Sequence, residues 1–463
     1  MDITNEIREA HKKLSQCSVK FIDYVERNPH ILDRSLYKGV MAIDFKLIIP
    51  QPWPGFVDSR MRLRLEEAGK DVFRLVKAVP QRIFGNDAQK ISEYLNIPPG
   101  IVERQLDGVT PEHLKGILGR GDFLFSPSGL KCLEYNVTAS VGGWSIAFTE
   151  PIYLKEPIIA DFLEETGAKV RNRSLVVIFF EHILEDAVTK YPDAREINVA
   201  VAIERYGEHS DKVIQKTQMD NVFRETLRRQ YPHLDGNIFF GDYPQMDVVD
   251  NRLIVKGKRI HVLMEMHFGE VPFRIMEVFK AGNILLYDGP IAPLLANKLF
   301  IASLSEHKDS DLFSPEEREI IKKYIPWTRK VVPGDITYHG ETLDMEQLLV
   351  SHRENMVLKP SDGLGGESVC VGRHTSGLLW KEMIKVAFRN KNWLVQEYVG
   401  SLPFLYQTGD NDCCGHDVVW GVFIFGEYYA GTFLRVLPKK KNVKGVINAH
   451  QGAEITVMFE VDE

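Results

Sequence analysis

Apolar residues recur at helical spacing near the start of the chain: Ile7, Ala10, Leu14, Val19, Ile22 and Val25 keep one stripe, and residues 60–79 repeat the pattern. Pro50-Gln-Pro-Trp-Pro-Gly55 separates the two, because closely spaced prolines withhold backbone donors and stop a helix. Residues 1–110 are therefore expected to be mainly helical. Between residues 197 and 286 short apolar runs at 199–203, 237–240, 260–264 and 284–287 alternate with helical patterns such as 218–230. That alternation predicts a Rossmann-like parallel α/β lobe over 191–290. The run Leu175-Val-Val-Ile-Phe-Phe180 is too short to span a bilayer and is expected as a buried strand. Ser314-Pro-Glu-Glu317 has the form of a capping box, opening a helix that buries Ile320, Ile321 and Tyr324. A further helix at 375–390 is expected to turn Leu379, Met383, Val386 and Ala387 inward.

Candidate chemistry gathers at three segments. Asp122 and Glu134 stand twelve residues apart, and the stretch between them reads as strand, tight turn at Pro127-Ser128-Gly129, and strand. A hairpin sets the two carboxylates side by side. Glu134 and Asn136 then share a face, since side chains alternate along a strand. Three convergent hard oxygen ligands suit Mg²⁺, which leaves part of its coordination to water and phosphate. Arg120 would share that face and offer a planar cation to a phosphate or acyl-phosphate. The same residues also fit an ordinary hairpin with a charged, solvated face.

The second segment is a strand at 355–359 running into Pro360-Ser-Asp-Gly-Leu-Gly-Gly366-Glu-Ser368 and out through 369–372. Glycines at 363, 365 and 366 allow tight turns that present backbone N–H groups to a polyphosphate, and Lys359 adds a point charge. It is not a P-loop, because no Gly-Lys-Ser/Thr follows and a strand comes next. A glycine-rich turn beside an exposed lysine is the alternative. In the third segment, Trp393-Leu-Val-Gln396-Glu397-Tyr-Val399 is an apolar strand ending in an amide and a carboxylate. It suits the adenine end of a nucleotide, and equally a plain core strand.

Together these motifs resemble the ATP-grasp ligases of the circularly permuted kind, related to the synthetase domain of glutathionylspermidine synthetase. Arg-x-Asp followed by Glu-x-Asn is similar to that enzyme and to the end of D-alanine:D-alanine ligases. In the ordinary order the phosphate-binding lysines come first and Asp with Glu-x-Asn last; here Lys298, Lys359, Gln396-Glu397, Arg435 and Asn448 follow the hairpin instead. The resemblance implies a mixed α/β fold: a circularly permuted ATP-grasp with a helical N-terminal region at 1–110. Residues 111–190 would be the part of the catalytic lobe that carries the Mg-binding hairpin, 191–290 the Rossmann-like lobe and 291–463 the ATP-binding lobes. It further implies ATP and Mg²⁺ as cofactors, with Asp122, Glu134 and Asn136 on the metal and Arg120 on the acyl-phosphate. Lys298, Lys359, Gly363, Gly365, Gly366 and Ser368 would meet the phosphates, Gln396 and Glu397 the adenine end, and Arg435 with Asn448 the phosphate and metal side. After Asn136 the chain departs from the relative's pattern, so Thr138 and Ser140 stand as candidates for a substrate-binding segment of different specificity.

Composition fits without selecting. The chain has 463 residues, 44% hydrophobic and 26% charged, as in a globular protein with several lobes. A net charge of −7, with no basic arm, argues against a general nucleic-acid binder. Lys439–Lys441 and Lys444 read as a solvated loop, with attraction of ATP as the other outcome. Cysteines at 17, 132, 370, 413 and 414 lack zinc spacing, and a charged start argues against a signal peptide. A cytoplasmic location, with no membrane or nucleic-acid partner, is expected. The resulting expectation is an ATP-dependent ligase joining a small-molecule or peptide carboxylate to an amine or thiol. A silent nucleotide-binding protein and an ATP-grasp kinase are the alternatives.

Overall fold

The computed structural model of the protein describes residues 3–28, 49–138, 143–203, 210–266, 270–363, 366, 368–408 and 412–463. The N-terminal stripe forms two helices, Asn5–Lys12 and Gln16–Arg27, which bury Ile7, Ala10, Ile22 and Val25. The proline segment does break the helical pattern, and its ends become short strands, Ile49–Pro50 and Gly55–Val57. Both run parallel to Glu454–Val461.

That pairing belongs to a nine-stranded sheet. Its main path runs Ile49–Pro50, Glu454–Val461, Tyr428–Pro438, Cys413–Phe425, Leu118–Ser126, Gly129–Asn136. Strands distant in sequence thus lie side by side, and the residues of 404–461 join the sheet of the 118–136 hairpin. Helix Ser59–Arg82 crosses this sheet through its apolar stripe. The approach is close at Gly69, where a Cβ would stand 2.8 Å from Val422 Cγ1.

Residues 175–180 are not the expected strand. They open the helix Leu175–Lys190, which buries Leu175, Val176, Phe179, Phe180, Ile183, Leu184 and Ala187. The apolar positions continue past Phe180 at helical intervals, and a six-residue window cannot distinguish a buried strand from a helix buried nearly all round. Phe179 packs edge-on against Trp144 and Phe425, fixing the helix to the large sheet.

The alternation at 197–286 yields a parallel sheet. Strands Leu285–Tyr287, Val262–Glu265, Val199–Ala202 and Ile238–Gly241 form one all-parallel sheet in that spatial order. Successive connections leave Val199–Ala202 in opposite directions, so the strand order reverses between it and Val262–Glu265. A crevice at such a reversal is where open α/β sheets take ligands.

A four-stranded antiparallel sheet, in the order Thr328–Lys330, Trp393–Glu397, Met356–Pro360, Cys370–Val371, faces the large one. Helix Gly377–Asn390 covers it with Trp380, Ile384 and Ala387. Leu379, expected inward, is 51% exposed. Capping by Ser376 sets the helical phase, so positions 380, 384 and 387 form the inward row. The capping box at Ser314 and Glu317 is present at the start of Pro315–Tyr324.

Candidate active site

The hairpin pairs Leu118–Ser126 with Gly129–Asn136, and its register sets Asp122 directly opposite Glu134 and Arg120 opposite Asn136. A shift between Asp122 and Phe123 lets the register change at the site itself. Gly121 makes this geometry feasible: a Cβ there would lie 2.4 Å from Phe123 Cε2 and 2.9 Å from Tyr135 Cε2. Tyr135 stacks on Phe73 at 4.6 Å and donates its hydroxyl to the Gly69 carbonyl 3.1 Å away, so helix Ser59–Arg82 braces the strand from behind.

Asp122 is the hub. Its Oδ1 accepts from Arg120 Nε at 2.8 Å, while Oδ2 accepts from Arg120 at 3.1 Å and lies 2.6 Å from an Arg435 nitrogen. All three side chains are buried. Burial works against the Asp122 charge, but the two guanidinium groups outweigh it and hold the carboxyl well below the usual range. Asn136 donates its side-chain amide to Asp122 Oδ2 at 3.2 Å, which turns its carbonyl oxygen away from that contact.

The lysines converge on the other carboxylate. Lys298 Nζ donates to the Gly363 carbonyl at 2.6 Å and lies 3.7 Å from Glu134 Oε2. Lys359, on the strand Met356–Pro360, donates to Gln396 Oε1 at 2.7 Å. Burial pulls the Lys359 pKa down to about 8, with Glu134 opposing. Gln396 is itself anchored, donating to Thr328 Oγ1 at 3.1 Å. Its side chain therefore positions Lys359 in this arrangement.

A cleft of about 820 Å³, counting its open mouth, lies between the two sheets. Asp122, Glu134 and Arg435 line it from the large sheet, and Lys359 and Gln396 from the small one. Leu124, Leu133, Val357, Val371 and Val419 give it apolar walls, and the backbone of 397–399 passes its edge. Gly366, at φ +73°, packs against Val446, and Asn448 closes the same wall while accepting from the His450 N–H at 3.0 Å. The Glu397 carboxylate is engaged by Tyr338 at 3.1 Å and His339 at 2.9 Å. Ser368 is exposed. The Thr138 side chain bonds Asp288, at the end of the parallel strand Leu285–Tyr287. Gly365 and Ser140 lie outside the described residues.

Sequence reasoning missed the apolar walls and also Asp417, which lines the cleft and accepts from Asn442 at 2.9 Å. Alternation along Cys413–Phe425 was the available signal, since positions 417 and 419 share a face.

Among the described residues, no group of three or more His, Cys, Asp or Glu side chains is placed to hold a metal by itself. The donor set nonetheless fits Mg²⁺: Glu134 faces the cleft and Asn136 keeps an amide oxygen, so these two would hold the ion with phosphate and water as its other ligands. Asp122 is committed to Arg120 and Arg435 and orients Asn136.

No protein-family model and no curated protein sequence matches this chain. In fold it is similar to a glutathione synthetase-like effector from Globodera pallida, solved in its apo form. That likeness has a TM-score of 0.56 at 11% identity and covers 95% of this chain and 96% of the other. A Methylobacillus flagellatus KT structure described as a gamma-glutamylcysteine synthetase aligns over 84% of this chain and 88% of its own. That alignment has a TM-score of 0.42 at 13% identity. Among the described residues no helix is long and apolar enough to cross a membrane.

Proposed function

We propose that the protein is an ATP-dependent ligase that activates a carboxylate as an acyl-phosphate and transfers it to an amine. The observation that carries this reading is the cleft between two sheets where Asp122, Glu134 and Arg435 face Lys359, with Lys298 3.7 Å from Glu134. Apolar walls beside that charged floor suit a nucleotide, base among the valines and phosphates among the cations. Fold likeness to a glutathione synthetase-like effector supports the same class. The inverted motif order, with the strands of 404–461 completing the hairpin's sheet, supports a circularly permuted ATP-grasp.

In this reading Lys298, Lys359 and Arg435 hold the phosphates, and Arg120 meets negative charge as the acyl-phosphate forms. Glu134 and Asn136 would hold Mg²⁺, which supplies charge neutralisation at the phosphate oxygens. Gly366, on the wall of the cleft, would help shield an acyl-phosphate from water. Gln396 acts as a positioning residue through Lys359.

The test is ADP release measured with a panel of amino acids, peptides and amines, together with the product mass. A condensed product is expected, and Glu134→Gln should abolish its formation. A phosphorylated product would make the protein a kinase. ATP binding without turnover across the panel would make it a nucleotide-binding protein.

A further inference from the structure

A second cavity, of about 1,130 Å³ with its mouth, lies outside the nucleotide cleft. It opens at the carboxyl ends of the parallel strands, beside the order reversal between Val199–Ala202 and Val262–Glu265. Glu265, the last residue of Val262–Glu265, lines it although only 9% exposed. The Tyr243 hydroxyl donates to Glu265 Oε1 at 3.0 Å, which fixes the carboxylate from one side. Burial drives the Glu265 pKa up to about 8, and an ammonium group beside it would favour the charged carboxylate.

The remaining lining defines the ligand. Ile101, Val271, Phe273 and Met276 are apolar, and Phe273 is 76% exposed. Arg104 and Lys280 are already paired, with Glu270 at 3.1 Å and Asp107 at 2.5 Å. A cation with an apolar body matches a buried carboxylate among such walls; an anion does not. Next to Glu265 in space, Asp288 adopts φ +74°, a left-handed conformation rare outside glycine and concentrated at functional sites. Asp288 is bonded by Thr138 and by the Leu118 backbone, both at the open end of the hairpin that carries Arg120 and Asn136. The cavity therefore abuts the hairpin of the candidate active site.

We propose that this cavity binds the amine-bearing substrate, an amino acid or short peptide with an apolar side chain, and holds its ammonium group against Glu265. The substrate role rests on the ligase reading; the binding rests on the cavity alone.

The test is calorimetric titration of the full chain with L-phenylalaninamide and with 3-phenylpropanamide, which differs only in lacking the ammonium group. L-phenylalaninamide is expected to bind at least about tenfold more tightly, the scale of one charge-assisted hydrogen bond. Glu265→Gln, isosteric with the protonated carboxyl, should fold and erase the difference. Tyr243→Phe should reduce it. Equal affinities, no binding, or an unchanged Glu265→Gln would each overturn the proposal. ATP titration on the same samples separates the two readings. Amine binding without ATP binding would sink the ligase reading and spare the cavity. ATP binding with no ammonium preference would do the reverse.

Discussion

Asp122 sits at the centre of a buried charge network. Its carboxylate lies between two buried guanidinium groups, so Asp122→Asn strands both charges and is expected to cost roughly 3–5 kcal/mol. Urea unfolding at neutral pH would show the loss. The sign with pH follows from a carboxyl held below its ordinary 3.8: the contribution is complete above that value and disappears as pH falls toward the folded pKa. The gap between wild type and Asp122→Asn should therefore narrow in acid, and a constant gap would rule out the ion-pair origin. Lys359 makes a complementary prediction. With its pKa near 8 it loses its charge just above neutrality, so ATP affinity should fall as pH rises through about 8. Titration at several pH values checks this, and Lys359→Met should flatten the profile. These charged residues were legible in sequence because their spacing carries their chemistry. The cleft walls at Leu124, Val357 and Val419 were not, since an apolar strand residue does not reveal which sheet it will face.

At the scale of elements, the hairpin was legible but its register was not: the turn pairs Ser126 with Gly129, which would leave Asp122 opposite Leu133, and the shift between Asp122 and Phe123 brings Glu134 across instead. The helix Leu175–Lys190 was misread because its opening run is apolar on every side, and periodicity vanishes when no face is polar. Helix Pro315–Tyr324 shows a local signal that does tertiary service. Glu317 completes the capping box and also pairs with Arg74 and Arg82 of helix Ser59–Arg82, the helix that braces the active-site hairpin. Glu317→Ala should cost roughly 1–2 kcal/mol, most of it from the cap because both arginines are partly exposed. Thermal unfolding would register that loss, and Glu317→Gln should recover part of it by preserving the reciprocal bond to the Ser314 N–H. Equal losses in the two variants would assign the effect to charge instead.

For the whole molecule, the principal unknown in the sequence was which segments share a sheet. Strands from 49–57, 118–136, 170–171 and 404–461 meet in one, and no local pattern specifies pairing over such separations. The cleft lies between this sheet and the smaller antiparallel one, with residues 398–403 joining them. A nucleotide bridging Arg435 and Lys359 should draw the sheets together. Small-angle scattering should then show a smaller radius of gyration with ATP, and Lys359→Met should lose the change. The same long-range assembly affects biosynthesis. Arg120 and Asp122 leave the ribosome with the hairpin, but the strand Cys413–Phe425 that pairs with it and the strand carrying Arg435 emerge more than half a chain later. Until then the hairpin has an open hydrogen-bonding edge, a template for unwanted pairing, and Asp122 has only one of its two counter-charges. Nascent chains stalled before Arg435 should therefore need chaperone protection and lack the complete cleft, so that the buried charge network closes late in translation rather than growing with the chain.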